Sequence, residues 1–160
     1  AKSLHAELKY ESKFFGDTAR VSIAGRDVRV LIPSTYMNLS GKSVAAMARF
    51  YQIAPENILV VHDELDMDPG TVRFKKGGGH GGHNGLRDTI KSLGNNKDFA
   101  RLRIGIGHPG QANLVSDYVL KKAAPSDQQL IANSIDDALR HLPTAVEGQW
   151  EKAMTALHSL

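Results

Sequence analysis

Four apolar residues, Ile58-Leu59-Val60-Val61, are followed directly by the polar residues His62-Asp63-Glu64, and this pattern points to the fold class. A short apolar run of this kind is typical of a strand that is buried on both faces of a sheet. In α/β proteins, functional side chains lie just beyond the carboxyl ends of such strands. Asp63 is therefore a candidate catalytic residue, because a carboxylate there can orient a histidine and favour its protonated form. Glu64 is expected to be solvated or to cap a turn.

The sequence on either side of this strand alternates between strand and helix signals. Period-2 alternation predicts a hairpin over residues 19–32, and further strands are predicted at 71–75 and 102–107. Apolar spacing and capping residues predict helices over 40–51, 84–93 and 126–141. Pro143 is predicted to separate the last of these from a final amphipathic segment that ends near Leu157. Residues 1–9 are predicted to be the tail of a helix. We therefore predict an α/β fold, with one three-layer domain over residues 1–160 in which helices flank a central mixed β-sheet.

The composition is that of an ordinary globular protein. The chain has 160 residues, of which 41% are hydrophobic and 23% are charged, enough for one domain with a real core. The sequence contains no cysteine, which excludes disulfides, a thiolate nucleophile and cysteine-bound metals. No apolar run approaches the ~18 residues of a membrane span, and the first residues do not resemble a signal peptide. We expect a cytoplasmic protein with no membrane contact.

The basic residues are concentrated in one part of the chain. The net charge is only +3, but residues 69–110 contain eight basic and two acidic side chains. Such a segment beside glycine-rich backbone could bind a polyanion, or it could simply be a solvated basic face. Charge alone leaves both interpretations open.

A glycine-rich loop lies within this basic segment. Six of the nine residues from Gly77 to Gly85 are glycine, which lets backbone N–H groups approach a phosphate closely. The pattern G-x-G-x-x-G occurs here and again from Gly105 to Gly110. Neither copy predicts a dinucleotide site convincingly, because the first lacks the acidic residue of that fingerprint and Pro109 interrupts the second. A flexible surface loop remains the alternative.

Histidine and asparagine side chains in and near this loop are further candidates. His80 and His83 have H-x-x-H spacing, but a metal site needs a third ligand and a rigid frame, so we predict no metal. Asn38 and Asn84 stand at predicted helix starts, with His83 beside the second. Each amide could cap its helix, or it could present a donor and an acceptor to a substrate or to water.

Four motifs together resemble those of bacterial peptidyl-tRNA hydrolases. They are Thr35-Tyr36-Met37-Asn38-Leu39-Ser40-Gly41, His62-Asp63-Glu64-Leu65-Asp66, the loop Gly77–Leu86, and Arg101-Leu102-Arg103-Ile104-Gly105-Ile106-Gly107-His108-Pro109-Gly110. The resemblance runs from about Phe14 to the last helices. It implies an esterase that cleaves peptide from tRNA, acting as a monomer with a general base, water and no cofactor.

The resemblance also implies roles for individual residues. Asp63 matches the aspartate that keeps the general-base histidine in its basic form. Asn38 and Asn84 match asparagines that bind the acceptor end of the tRNA and the peptide backbone and that position water. Tyr36 matches an aromatic residue that lines the same cleft, and His83 belongs to this cleft with a lesser role. The basic residues that grip the 5′ phosphate of the tRNA match Lys75 and Arg103.

One part of the family pattern has no counterpart in this sequence. The family begins with a strand, a loop of Asn-Pro-Gly type and an Arg-His-Asn segment that carries the general-base histidine. We therefore expect that this N-terminal segment is absent and that residues 1–160 alone are inactive. Two alternatives remain open: a non-catalytic RNA-binding module and a nucleotide-binding oxidoreductase that uses the glycine motifs.

Overall fold

The computed structural model describes residues 7–35, 39–81, 83–107 and 125–158. The chain divides into two compact units, of which the first comprises Ala1–Ile58 and Lys76–Ala100 and the second Leu59–Lys75 and Arg101–Leu160. The single domain over residues 1–160 stays a prediction.

An antiparallel sheet opens the first unit. Its strands are β1 (Lys9–Glu11), β2 (Gly16–Ile23) and β3 (Arg26–Pro33), in that order. A two-residue turn joins β2 to β3, and both of its residues have positive φ, 53° at Ala24 and 74° at Gly25. Such turns match the twist of a hairpin. The predicted hairpin is confirmed.

The helix tail predicted over residues 1–9 is wrong at its end. Lys9 belongs to β1, where it lies opposite Thr18 of β2. Only a short 3₁₀ turn, Ser12–Phe14, separates the two strands, so local backbone pairing outweighs the helical pattern. Residues 1–6 lie outside the described part of the chain.

Two helices complete the first unit: α1 (Ser40–Phe50) and α2 (Asn84–Ser92). They approach closely where the N–H of Gly41 donates to the Asp88 carboxylate at 2.7 Å. At the other end of α1, the ring of Phe50 stacks edge-on against buried Phe14, with ring centroids 5.3 Å apart. The first of these helices was predicted from its apolar spacing, and the second from the residues that begin and end it.

The second unit is built on a mixed sheet of β4 (Leu59–Glu64), β5 (Val72–Lys76) and β6 (Ala100–Gly105), with β6 in the middle. Backbone hydrogen bonds run from Ala100 N to Ile58 O and from Ile106 N to Glu64 O. The difference in residue number between donor and acceptor is the same in both bonds, so β4 and β6 are parallel. Bonds from Gly105 N to Thr71 O and from Gly77 N to Phe99 O run in opposite senses, so β5 and β6 are antiparallel. The predicted mixed sheet and α/β class are confirmed.

Two helices, α3 (Pro125–Val146) and α4 (Trp150–His158), pack on one face of this sheet. The core they share with the strands consists of buried apolar side chains, namely Val72, Phe74, Leu102, Ala138, Ala145, Ala153 and Leu157. No helix in the described ranges is long and apolar enough to cross a membrane.

Two sequence predictions about this unit are wrong. β4 is not buried on both faces, because it lies at the edge of the three described strands and Val61 is 57% exposed. Pro143 does not separate two helices, since α3 continues through it to Val146. The buried Ala145 lies beyond the proline, and its packing in the core favours continuing the helix past the lost hydrogen bond.

Candidate active site

Asp63 lies at the carboxyl end of β4, where the sequence placed it. Its backbone carbonyl is 2.8 Å from Nδ1 of the buried His62 ring. Alternation along the strand puts Asp63 on the same face as Leu59 and Val61 and puts His62 on the opposite face. The half-buried carboxylate thus ends the apolar face of the strand.

Lys75 and Arg103 lie on neighbouring strands of the same sheet. The two hydrogen bonds that join β5 to β6 place Arg73 opposite Arg103 and Lys75 opposite Arg101. Lys75 and Arg103 are therefore diagonal neighbours on one face, with Cα atoms ~7–8 Å apart. The structure brings together the two residues that the sequence predicted to share a phosphate.

The same face carries two further arginines that the sequence analysis did not select. Arg101 is 1% exposed, and burial together with the nearby charge of Arg103 lowers the pKa of its guanidinium. Arg73 faces Arg103 directly across the strand pair. The signal was available in the sequence, because Arg73-Phe74-Lys75 and Arg101-Leu102-Arg103 both alternate basic and apolar residues, which puts the charges of each strand on one face. We call Arg73, Lys75, Arg101 and Arg103 the basic face.

Glu64 is bound to this face rather than solvated. Its carboxylate oxygen Oε2 is 3.5 Å from Nε of Arg103, and its side chain is only 16% exposed. The prediction that Glu64 is solvated or caps a turn is therefore wrong. It failed because the charge that attracts Glu64 lies on a neighbouring strand about forty residues further along the chain.

His83 and Asn84 begin α2 in the first unit. His83 is the N-cap, and its Nδ1 accepts a hydrogen bond from the N–H of Leu86 at 3.2 Å. This acceptor role requires the proton of a neutral ring to be on Nε2. Asn84 is the first helical residue and is exposed. Of the two alternatives for Asn84, the capping role falls to His83, which leaves the amide available to a ligand.

The loop before α2 needs its glycines for backbone reasons. Gly77, Gly78 and Gly81 have φ values of 72°, 104° and 55°, in the region that side chains disfavour. Tyr36 and Asn38, the other two predicted cleft residues, lie outside the described part of the chain.

A family model described as peptidyl-tRNA hydrolase matches residues 1–160, the whole chain. This chain belongs to the peptidyl-tRNA hydrolase family. Peptidyl-tRNA hydrolases of Saccharophagus degradans and Teredinibacter turnerae are 60% and 58% identical to it, over 99% of this chain and 81% and 82% of theirs. The crystal structure of the peptidyl-tRNA hydrolase from Acinetobacter baumannii has a TM-score of 0.95 at 51% identity, covering 99% of this chain and 80% of that one.

Membership of the peptidyl-tRNA hydrolase family excludes one of the two alternatives that the sequence left open. The glycine motifs belong to a hydrolase, so the nucleotide-binding oxidoreductase is excluded. Residues 7–35, 39–81, 83–107 and 125–158 contain no group of three or more His, Cys, Asp or Glu side chains that could hold a metal ion.

Proposed function

We propose that this chain, in a protein that also carries the family's general-base histidine, hydrolyses the ester bond between peptide and tRNA in peptidyl-tRNA, so that free tRNA returns to translation, and that this base activates the attacking water. The class of reaction follows from membership of the peptidyl-tRNA hydrolase family over all 160 residues. The observation that supports the phosphate site is the basic face, which lies on β5 and β6 of one sheet. Asp63 ends β4 of the same sheet, on its opposite face.

The role we assign to Asp63 is to orient the general-base histidine. A carboxylate that accepts a hydrogen bond from an imidazole selects its tautomer and stabilises the cation that forms as the water is deprotonated. The position of Asp63 at a strand end supports this role, because such an end holds a side chain rigidly beside a cleft.

The role we assign to Lys75 and Arg103 is to bind the 5′ phosphate of the tRNA. An arginine can donate two parallel hydrogen bonds to a phosphate, and a lysine adds a compact charge. Lys75 is exposed and Arg103 half-buried, so both can meet a ligand at this face.

The acceptor end and the peptide are assigned to Tyr36, Asn38, His83 and Asn84. An exposed amide such as that of Asn84 can donate to one group of the substrate and accept from another. His83 stabilises the start of α2 through Nδ1, which accepts from the N–H of Leu86. We infer that the enzyme acts in the cytoplasm and that it is a monomer. Light scattering during gel filtration tests the oligomeric state.

The test of this function measures tRNA binding and turnover in parallel. Lys75→Ala and Arg103→Ala should each weaken tRNA binding by about tenfold or less and reduce the slope of log Kd against log salt by about one. Lys152→Ala, at an exposed position of α4, is the matched control and should change neither. Hydrolysis of a small peptidyl ester without tRNA should be unchanged in all three variants.

Two outcomes would contradict the proposal. Equal losses on tRNA and on the small ester would mean that Lys75 and Arg103 support the fold or the chemistry. Tight binding of peptidyl-tRNA without release of free tRNA would favour the non-catalytic RNA-binding module.

A further inference from the structure

The imidazole ring of His62 reaches the backbone of the next residue, Asp63. Nδ1 of His62 is 2.8 Å from the carbonyl oxygen of Asp63. A carbonyl oxygen can only accept a hydrogen bond, so Nδ1 carries a proton and donates it. His62 is 8% exposed, and the close packing around a buried ring limits the ways in which it can turn.

The carbonyl of Asp63 points away from the neighbouring strand β6. Backbone bonds from β6 go to the carbonyls of Ile58 and Glu64, and successive carbonyls of a strand point to opposite sides. The carbonyl of Asp63 therefore faces the edge of the three described strands, on the side where β6 cannot supply a donor. The imidazole of His62 supplies a donor from within β4 itself.

This hydrogen bond restricts the torsions that direct the Asp63 side chain. The ring of atoms that it closes runs from the imidazole through the peptide between His62 and Asp63 to the Asp63 carbonyl, so it includes φ and ψ of Asp63. These angles set the direction of the Cα–Cβ bond from which the carboxylate extends. His62 lies on the opposite face of β4, so it restrains Asp63 without occupying the space beside the carboxylate.

An orienting carboxylate depends on such a restraint. Its hydrogen bond to a general-base histidine selects the tautomer only while the two groups keep their distance and angle, and a misplacement of about 1 Å can cost about 10²-fold in rate. Asp63 is the last residue but one of β4, and the ends of an element open more easily than its centre. A second attachment at this point keeps the strand end in place.

We propose that His62 is a positioning residue for Asp63, which holds the Asp63 carbonyl through Nδ1–H and so directs the carboxylate toward the general-base histidine. This inference rests on the role proposed above for Asp63. The hydrogen bond is within the protein and involves no atom of the substrate. Its loss therefore lowers kcat and leaves tRNA binding unchanged.

Asparagine and leucine form a matched pair of substitutions at position 62. Both side chains branch at Cγ, but only asparagine can donate from the position that Nδ1 takes in histidine. In a protein that also carries the general-base histidine, His62→Leu should lower kcat for peptidyl-tRNA by about tenfold, the scale of one hydrogen bond, and change KM and the Kd for tRNA by no more than about twofold. His62→Asn should return kcat to within about threefold of the unaltered protein. A purely structural role would follow the loss of the ring, which both variants share.

Two controls separate this role from a general effect of substitution. The same pair of substitutions at His141, a half-buried position of α3, should give equal kcat values. In an Asp63→Asn background, His62→Leu should lower kcat no further, because His62 acts through Asp63. A second loss of about tenfold in that background would refute the positioning role.

The position of the ring proton tests the inference even if His62→Leu does not fold. Long-range ¹H–¹⁵N correlation spectra show which nitrogen of an imidazole carries the proton, and the signals that disappear in His62→Asn are those of His62. The proton should be on Nδ1, because this nitrogen donates to Asp63. A neutral ring with its proton on Nε2 would refute the inference.

The outcomes also separate this inference from the function on which it rests. If Asp63→Asn leaves kcat unchanged, the proposed role of Asp63 fails, and the role of His62 fails with it. If Asp63→Asn lowers kcat while His62→Leu and His62→Asn have equal kcat values, only the role of His62 is refuted.

Discussion

Gly41→Ala should destabilise the junction between α1 and α2. A Cβ atom at Gly41 would lie 2.6 Å from the carbonyl carbon and 2.7 Å from the carboxylate Oδ2 of Asp88, and closer still to its carbonyl oxygen. Two of these three atoms belong to the backbone of α2, so a side-chain rotation cannot make room and the two helices must separate. The same separation would lengthen the 2.7 Å hydrogen bond from Gly41 N to Asp88.

The magnitude follows from three effects. Overpacking a tight contact costs about 1–3 kcal/mol, and weakening a hydrogen bond to a carboxylate costs about 1.5 kcal/mol. The better helix propensity of alanine returns about 1 kcal/mol. The net loss of unfolding free energy is about 1.5–3.5 kcal/mol, which for a chain of this size lowers Tm by roughly 3–14 °C.

Thermal unfolding followed by circular dichroism measures this loss. Gly79→Ala is the matched control, because among the described residues, apart from its two chain neighbours, no atom lies within 4 Å of the position a Cβ would take there. It should move Tm by no more than about 2 °C. If Gly41→Ala has the same Tm as the unaltered chain, the two helices can separate without loss of stability. The reasoning from their close approach would then be refuted.

Two further predictions concern a titrating group and the catalytic carboxylate. Burial, and then the charge of Arg73, lower the pKa of His158 from its ordinary value of 6.5, and its Nε2 accepts from the N–H of Phe74. The unfolded chain therefore binds the proton more tightly than the folded chain does. The stability that His158 contributes is complete above pH 6.5 and is lost as the pH falls below it. Between pH 7.5 and 5, the unfolding free energy measured in urea should fall less for His158→Gln than for the unaltered chain. In a protein that also carries the general-base histidine, Asp63→Asn should lower kcat for peptidyl-tRNA by on the order of 10²-fold with little change in tRNA affinity, whereas an unchanged kcat would remove Asp63 from the mechanism.

Local patterns in the sequence were sufficient to predict the elements that neighbouring residues determine. The hairpin over β2 and β3 depends on a two-residue turn, and α2 depends on its own cap and apolar spacing, so both were predicted correctly. The errors at Val61 and Pro143 have a different origin. Whether a strand lies at the edge of a sheet, and whether a helix passes a proline, depend on packing between distant segments, which no window of sequence contains.

The candidate site divides in the same way. Asp63 was located by its place after an apolar run, a local signal, whereas Glu64 was misjudged because its partner Arg103 lies on another strand. The phosphate residues were selected through the family resemblance, and the structure adds that they share one face with Arg73 and Arg101. The register between β5 and β6 shows that these basic residues, which are separate in the sequence, share one surface.

The alternation in β6 links the core of the second unit to its proposed function. Leu102 packs into the core under α3 and α4, while Arg101 and Arg103 belong to the basic face, so successive residues serve opposite faces of one strand. A shift of one residue in the pairing of β6 would put the arginines into the core and the leucine among the charges. The apolar residues therefore do more than stabilise the sheet: their burial is what fixes the register that holds Arg103 beside Glu64.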